Sequence, residues 1–193
     1  MQNNHKILRL VDLLNNNGED FFNFLSASFS SPNKDVEQFL KEKAVQSVRL
    51  STSSTYLVVP KENPLNLLGY FSLATKMLTL KKISLSKTTE KVISRFGYYD
   101  EDSDSYKIPA ILIAQFGRNF NANCNSFAGT DLMSIALQQI KDILSFTSGK
   151  TVFLECEKKK DLVEFYESNG FSILDNEVLS RNKNELVQLF RLL

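Results

Sequence analysis

One histidine and two cysteines in 193 residues leave too few partners for an ordinary His/Cys metal site, and the two cysteines stand at no metal-binding spacing. No metal is therefore expected. Cys156 lies in an apolar segment and reads as a buried thiol; a disulfide to Cys124 stays open on sequence alone. Tryptophan is absent, and the aromatic content rests on 15 Phe and 6 Tyr, which points to an aromatic core and to no particular function. Charge of one sign is also missing. With 23 Lys and Arg against 22 Asp and Glu, the net charge of +1 does not demand nucleic acid or an anionic membrane, although it leaves room for a local basic patch. No segment approaches the ~20 consecutive apolar residues of a membrane-spanning helix, and MQNNHKILRLVDLL is too polar for a signal peptide. These absences predict a cytoplasmic protein with no membrane partner. What remains, 42% hydrophobic and 23% charged residues without repeats or low-complexity linkers, is an ordinary globule, read as a single domain over residues 1–193.

Along the chain, Ile7, Leu10, Val11 and Leu14 share one helical face and predict a helix over Lys6–Leu14 that contains His5 at its entry, exposed and without a role. Phe21–Phe29 reads as strand-like. Asn33 is a suitable N-cap for a helix over Lys34–Val48, whose stripe is Val36, Phe39, Leu40, Ala44 and Val48. Tyr56–Val59 is a short strand ended by Pro60, and Leu67–Leu80 a long one. Lys87–Phe96 reads as a helix and YYDEDSDSY as a solvated loop, since its acids lack the glycine and closing Glu of a calcium loop. Pro109 opens an almost continuously apolar strand, Ala110–Phe116, as suits a sheet centre. A polar loop, Gly117–Phe127, leads to a helix over Thr130–Phe146 stopped by Ser148-Gly149. Thr151–Cys156 is a buried strand, and a helix opens at Asp161 and stops at Gly170. Strands around Ser172–Leu174 and Glu185–Leu192 close the chain. The strand–helix–strand unit from Ala110 to Cys156 predicts a parallel pair.

Two places in this layout can carry chemistry, and both follow the carboxyl ends of the paired strands, where ligands sit in open α/β sheets. A helix N-terminus presents unpaired N–H groups and a partial positive charge, so the loop ahead of Thr130 is a phosphate candidate, with Gly129 permitting close approach. Asp131 puts a carboxylate into the same first turn. In the last helix Leu162, Phe165 and Tyr166 share one face, which fixes a phenol able to donate a proton; a core tyrosine beside Phe165 is the alternative. Glu155 and Glu157 alternate with Cys156 and face one side of their strand, either as a base or as partners of Lys158, Lys159 and Lys160. The lysine runs 158–160 and Lys81-Lys82 are wet turns or contacts for a phosphate.

At this point the chain resembles the GNAT N-acetyltransferase superfamily. Phe165-Tyr166 and Gly170-Phe171 match its Phe-Tyr…Gly-Phe signature, and Gly129 falls at the last glycine of its Gln/Arg-x-x-Gly-x-Gly/Ala motif. Phe127 stands where the middle glycine is expected and Cys124 where Gln or Arg is. The first part is similar to one branch of the superfamily, which includes mobile-element toxins, through Asp35-Val36-Glu37-Gln38-Phe39-Leu40, Thr55-Tyr56-Leu57-Val58 and Gly69-Tyr70-Phe71-Ser72-Leu73. The resemblance implies a three-layer α/β fold: a mixed, twisted sheet with splayed central parallel strands, flanked by helices. It implies acetyl-CoA as co-substrate, transferred by direct attack of a primary amine. Backbone of Gln115, Phe116, Gly117 and Arg118 would pair with pantetheine, and Asn125, Ser126, Phe127, Ala128, Gly129 and Thr130 would line the diphosphate. Tyr166 would protonate the departing thiolate and Glu155 would take the amine proton. The acceptor side would be built from the helix around Phe39–Val48, the strand Gly69–Leu80 and the region Val178–Arg181.

The same resemblance implies two other readings. One is toxin-like acetylation of the α-amine of aminoacyl-tRNA, with an antitoxin as partner. The other is a degenerate domain that binds a CoA ester or a protein without turnover. Related domains pair through sheet edges, so a homodimer is among the implied partners.

Overall fold

The computed structural model describes residues 4–121, 127–179 and 185–193. Eight strands form one sheet: β1 (His5–Arg9), β2 (Ser54–Pro60), β3 (Gly69–Lys81), β4 (Tyr98–Asp100), β5 (Ser105–Arg118), β6 (Thr151–Glu157), β7 (Ser172–Leu179) and β8 (Glu185–Leu192). Their order is β1-β2-β3-β5-β6-β8-β7, with β4 paired to β5. The helices are α1 (Leu10–Asn15), α2 (Glu19–Ala27), α3 (Lys34–Gln38), α4 (Ala44–Arg49), α5 (Lys87–Ile93), α6 (Gly129–Thr147) and α7 (Lys160–Ser168). Contacts divide the chain into two compact units, Met1–Ala74 with Ala114–Gln138 and Thr75–Ile113 with Gln139–Leu193. Strands β3 and β5 and helix α6 run from one unit into the other.

The first unit packs around Leu10, Phe22, Leu25, Phe29, Leu40, Leu57, Leu67 and Tyr70. Two sequence expectations are corrected here. Lys6–Arg9 is strand rather than helix, paired antiparallel to β2 from His5↔Pro60 to Arg9↔Tyr56, and the helix begins only at Leu10. A partner strand some fifty residues away by sequence overrides the local 3.6-residue period. Phe21–Phe29 is not a strand: α2 covers Glu19–Ala27. Phe22, Leu25 and Phe29, spaced by three and four, are buried, while Phe24 is 57% exposed. The helix expected over Lys34–Val48 forms as α3, a π-helical turn over Phe39–Lys43, and α4. Asn33 caps it, its Oδ1 accepting from the N–H groups of Asp35 at 2.9 Å and Val36 at 3.4 Å.

The second unit has its own core of Leu78, Leu80, Ile93, Tyr106, Ile108, Ala110, Phe153, Leu174 and Phe190. Ser86 caps α5 by accepting from the N–H of Thr89 at 3.1 Å. The acidic segment expected as a loop is in part a hairpin, because Tyr98, Tyr99 and Asp100 pair with Lys107, Tyr106 and Ser105. Its turn is held by the Tyr99 hydroxyl donating to Asp104 at 2.6 Å and by an ion pair of Lys107 with Asp100 at 2.5 Å. Strand β5 therefore starts at Ser105 rather than after Pro109. Pro109 is tolerated inside it because it lies between the stretch paired to β4, residues 105–107, and that paired to β6, residues 111–113. The expected parallel pair is present, with register Ile111↔Val152, Leu112↔Phe153 and Ile113↔Leu154. Antiparallel pairing of β6 to β8 runs from Thr151↔Leu192 to Glu157↔Leu186, and β8 pairs in turn with β7.

Candidate active site

The residues singled out in the sequence fall into two groups, one in each compact unit. In the first, Gln115, Phe116 and Arg118 are half-buried at the end of β5 and Gly117 is buried. Gly117 is a packing glycine. A Cβ there would lie 2.6 Å from Val36 Cγ1 and 3.0 Å from Phe29 Cζ. After Arg118 the chain is fixed by Asn119, 1% exposed, whose amide meets four backbone groups. Its Oδ1 accepts from the N–H of Ser30 and of Asn121, both at 3.0 Å. Its Nδ2 donates to the carbonyls of Leu67 at 2.8 Å and Ser28 at 3.3 Å. The sequence reading passed over this residue, because nothing in NFNAN distinguishes a buried Asn from a solvated one.

Arg118 Nη1 donates to the Phe127 carbonyl at 3.1 Å, and its guanidinium lies 4.3 Å from the centre of the Phe120 ring. Phe127, Ala128, Gly129 and Thr130 lead into α6, half-buried or exposed. Asp131 does more than sit nearby: its Oδ2 accepts the Ala128 N–H at 2.9 Å, so the helix caps itself with a carboxylate. Cys124, Asn125 and Ser126 lie outside the described residues.

The same unit gathers the three motif segments of the first part. Tyr70 donates its hydroxyl to the Val36 carbonyl at 2.6 Å and stacks on Phe39 with ring centres 6.4 Å apart. Tyr56 stacks on Phe71 at 5.1 Å, and the hydroxyls of Thr55 and Ser72 meet at 2.7 Å across the β2–β3 register. Segments far apart in sequence are thus joined on both faces of the β2–β3 pair, by Tyr70 on one and by Tyr56 and Phe71 on the other. Residues 180–181 of the expected acceptor region lie outside the described residues. His5 is half-buried in β1 rather than exposed on a helix, and burial, then Lys61, lowers its pKa.

In the second unit, Tyr166 sits on α7, 7% exposed, in edge contact with Phe165 at 5.2 Å and Phe171 at 6.0 Å. Burial pushes its phenol well above the ordinary range, and Cys156 adds to the shift. Cys156 is a free, buried thiol on β6, raised to about 11 by burial and then by Glu157. The Gly-Phe part of the signature is a helix stop. The Phe171 N–H donates to the Tyr166 carbonyl at 3.1 Å and the Gly170 N–H to Glu167 at 2.8 Å, with Gly170 at φ 80°. Arg191 donates to the Asn169 carbonyl at 2.5 Å and packs where a Gly170 Cβ would point.

Glu155 and Glu157 alternate with buried Cys156 as expected, Glu155 exposed and Glu157 half-buried. Glu155 Oε1 accepts from Gln188 Nε2 at 3.1 Å, while Glu157 pairs with Lys159 at 2.5 Å. Of these two carboxylates, Glu157 alone makes an ion pair among the described residues. Of the basic clusters, Lys160 pairs with Glu164 at 3.8 Å and Lys82 with Glu90 at 3.5 Å, as solvated turns do.

The sheet order, the β5–α6–β6 crossover and the helices flanking the sheet define the GNAT fold anticipated from the sequence. Three solved structures illustrate the likeness. AtaT complexed with acetyl-methionyl-tRNAfMet superposes with a TM-score of 0.66 at 18% identity, over 95% of this chain and 93% of that one. A crystal structure of a Tyr-to-Phe mutant of KacT gives 0.66 at 18% identity, over 95% and 94%. An AtaT Tyr-to-Phe mutant toxin bound to the C-terminus of the antitoxin AtaR and acetyl-CoA gives 0.60 at 14% identity, over 97% and 92%. No protein-family model matches the chain, and no curated protein matches it in sequence.

Proposed function

We propose that this protein is an acetyl-CoA-dependent N-acetyltransferase, acting in the cytoplasm on a primary amine as one domain over residues 1–193. The observation that carries the reading is the Tyr166 phenol, buried and held in its protonated form at the position of the signature tyrosine. The amine lone pair attacks the thioester carbonyl carbon and a C–N bond forms. The C–S bond then breaks, and the departing thiolate takes the Tyr166 proton, which solvent restores. The amine proton passes to Glu155, directly or through water. Backbone of Gln115, Phe116, Gly117 and Arg118 pairs with the pantetheine arm, since β5 runs on to Arg118 past its last parallel partner position, Ile113. Residues 125–130 line the diphosphate, with the Ala128 N–H already committed to Asp131 and the other amides left to contribute. Calorimetry with acetyl-CoA, followed by mass spectrometry of amines, peptides and charged tRNA incubated with the protein, tests the reading; absence of binding sinks it.

A narrower form of the reading is favoured by two observations: the contacts that join the three motif segments, Tyr70 with Val36 and Tyr56 with Phe71, and the tRNA and antitoxin in the similar structures. Here the acceptor is the α-amine of an aminoacyl-tRNA, and the partners are an antitoxin and a second copy of the chain. Expression without a partner gene should arrest growth in a Tyr166-dependent way; unaffected growth counts against it. Binding of acetyl-CoA without transfer to any amine would instead mark a non-catalytic sensor.

A further inference from the structure

The first turn of α6 is a poorer anion site than a helix of its length suggests. Asp131 already occupies the Ala128 N–H and adds a negative charge to the turn. The sequence there carries Phe127 where a glycine would bring another amide within reach. A dianionic diphosphate at this point needs a cation, and one is held ready. Arg118 keeps its head against the Phe127 carbonyl, one residue before Ala128, with its guanidinium carbon 4.3 Å from the centre of the Phe120 ring. Its backbone is fixed by the neighbouring Asn119 amide, three of whose four hydrogen bonds tie the exit of β5 to the segments around Ser28 and Leu67. Among the described residues no carboxylate lies within ion-pair distance of the guanidinium, so its charge is not already neutralised by an acid. A planar fork of five donors, one of them committed to Phe127, retains the geometry that suits two phosphate oxygens.

We propose that the Arg118 side chain binds the diphosphate of acetyl-CoA, supplying the charge and donors that the capped head of α6 lacks. This rests on the acetyl-CoA reading above and assigns the recognition of the carrier to a side chain rather than to loop amides alone. The test uses the full chain and three ligands. Acetyl-CoA and 3′-dephospho-CoA are measured by calorimetry; acetyl-pantetheine, which lacks both diphosphate and nucleotide, is followed by ligand-observed NMR so that weak binding is still read. Arg118→Ala should weaken acetyl-CoA and 3′-dephospho-CoA by about tenfold or more, as for loss of a charge-assisted contact, and leave acetyl-pantetheine unchanged. Equal loss for all three ligands makes Arg118 a structural residue and overturns the assignment, as does wild-type affinity. A loss seen with acetyl-CoA but not with 3′-dephospho-CoA moves the contact to the 3′-phosphate and also overturns it. If Arg118→Ala does not fold, Arg118→Lys, which keeps the charge but not the fork, is judged on the same pattern. No binding of acetyl-CoA by the wild-type chain, seen before any variant is made, fails the function reading itself.

Discussion

The hydroxyl of Tyr70, on β3, donates to the main-chain carbonyl of Val36, on α3, at 2.6 Å. The ring is fully buried, meeting Phe29 edge-on at 5.2 Å and Phe39 in a stack. One side chain therefore ties the sheet to the helical turn that precedes the π-helical segment. Tyr70→Phe keeps the packing and removes only the hydroxyl. It should cost about 1 kcal/mol, the net worth of a buried neutral hydrogen bond, read as a lower midpoint in urea at unchanged slope. An unchanged midpoint would mean that the bond contributes nothing net.

Gly117 should tolerate no side chain. Gly117→Ala places a methyl against Val36 Cγ1 and Phe29 Cζ, and overpacking of this kind costs about 1–3 kcal/mol. Val36→Ala removes the nearer obstacle, so the double variant should regain part of the loss. Simple additivity in urea unfolding would show that the two positions do not clash.

Thr151 is fully buried at the start of β6, and its Oγ1 has no hydrogen-bond partner among the described residues. An unmet buried hydroxyl is a net cost, so Thr151→Val should stabilise the protein by about 1 kcal/mol. A lower melting temperature for the variant contradicts this.

For Tyr166→Phe the expected result is a turnover reduced by about 10²–10⁴, the usual worth of a positioned general acid, with acetyl-CoA affinity unchanged because the ring and its contacts with Phe165 and Phe171 stay. Comparable turnover in the variant removes the phenol from the reaction.

Stability should fall on the alkaline side. Tyr166, Tyr70 and Tyr56 are harder to ionise folded than unfolded because burial disfavours the phenolate, and the Cys156 thiol is raised in the same way. The folded state then holds more protons than the unfolded chain once pH passes the ordinary thiol and phenol values, about 8.5 and 10. The contribution is complete below those values and is lost as pH rises through the folded ones. Melting temperatures between pH 8 and 11 should decline; a flat profile would show that these groups ionise as readily folded as unfolded.

The parts of the fold legible in the sequence were those whose signals are local. Asn33 announces its helix because the cap and the first turn are neighbours in the chain. The β5–α6–β6 crossover is visible because each element carries its own period. Phe165-Tyr166 and Gly170-Phe171 are legible for a physical reason: they are a buried face and the stop that ends it. Three elements were hidden. Lys6–Arg9 follows a helical period yet is a strand, since β2 supplies a partner that no local pattern encodes. In Phe21–Phe29 the three aromatics at 21, 22 and 24 obscured the spacing of Phe22, Leu25 and Ser26 that α2 buries. Tyr98–Asp100 was masked by its acids, whose charge is met by Lys107 across the hairpin. For the candidate site, the signature singles out Tyr166 and strand alternation Glu155, as proposals. Asn119 and the self-capping of α6 by Asp131 could not be singled out, because both depend on which backbone groups a fold leaves in reach.

The order in which β7 and β8 enter the sheet sets a sequence of events during synthesis. Strand β8 lies between β6 and β7, so β7 has no partner in the sheet until the later strand exists. The turn that ends α7 is likewise gripped by Arg191, near the close of β8. A nascent chain that has extended through Phe171 still lacks the strand that anchors that turn. The seating of β7 in the sheet therefore waits until translation has passed Leu192.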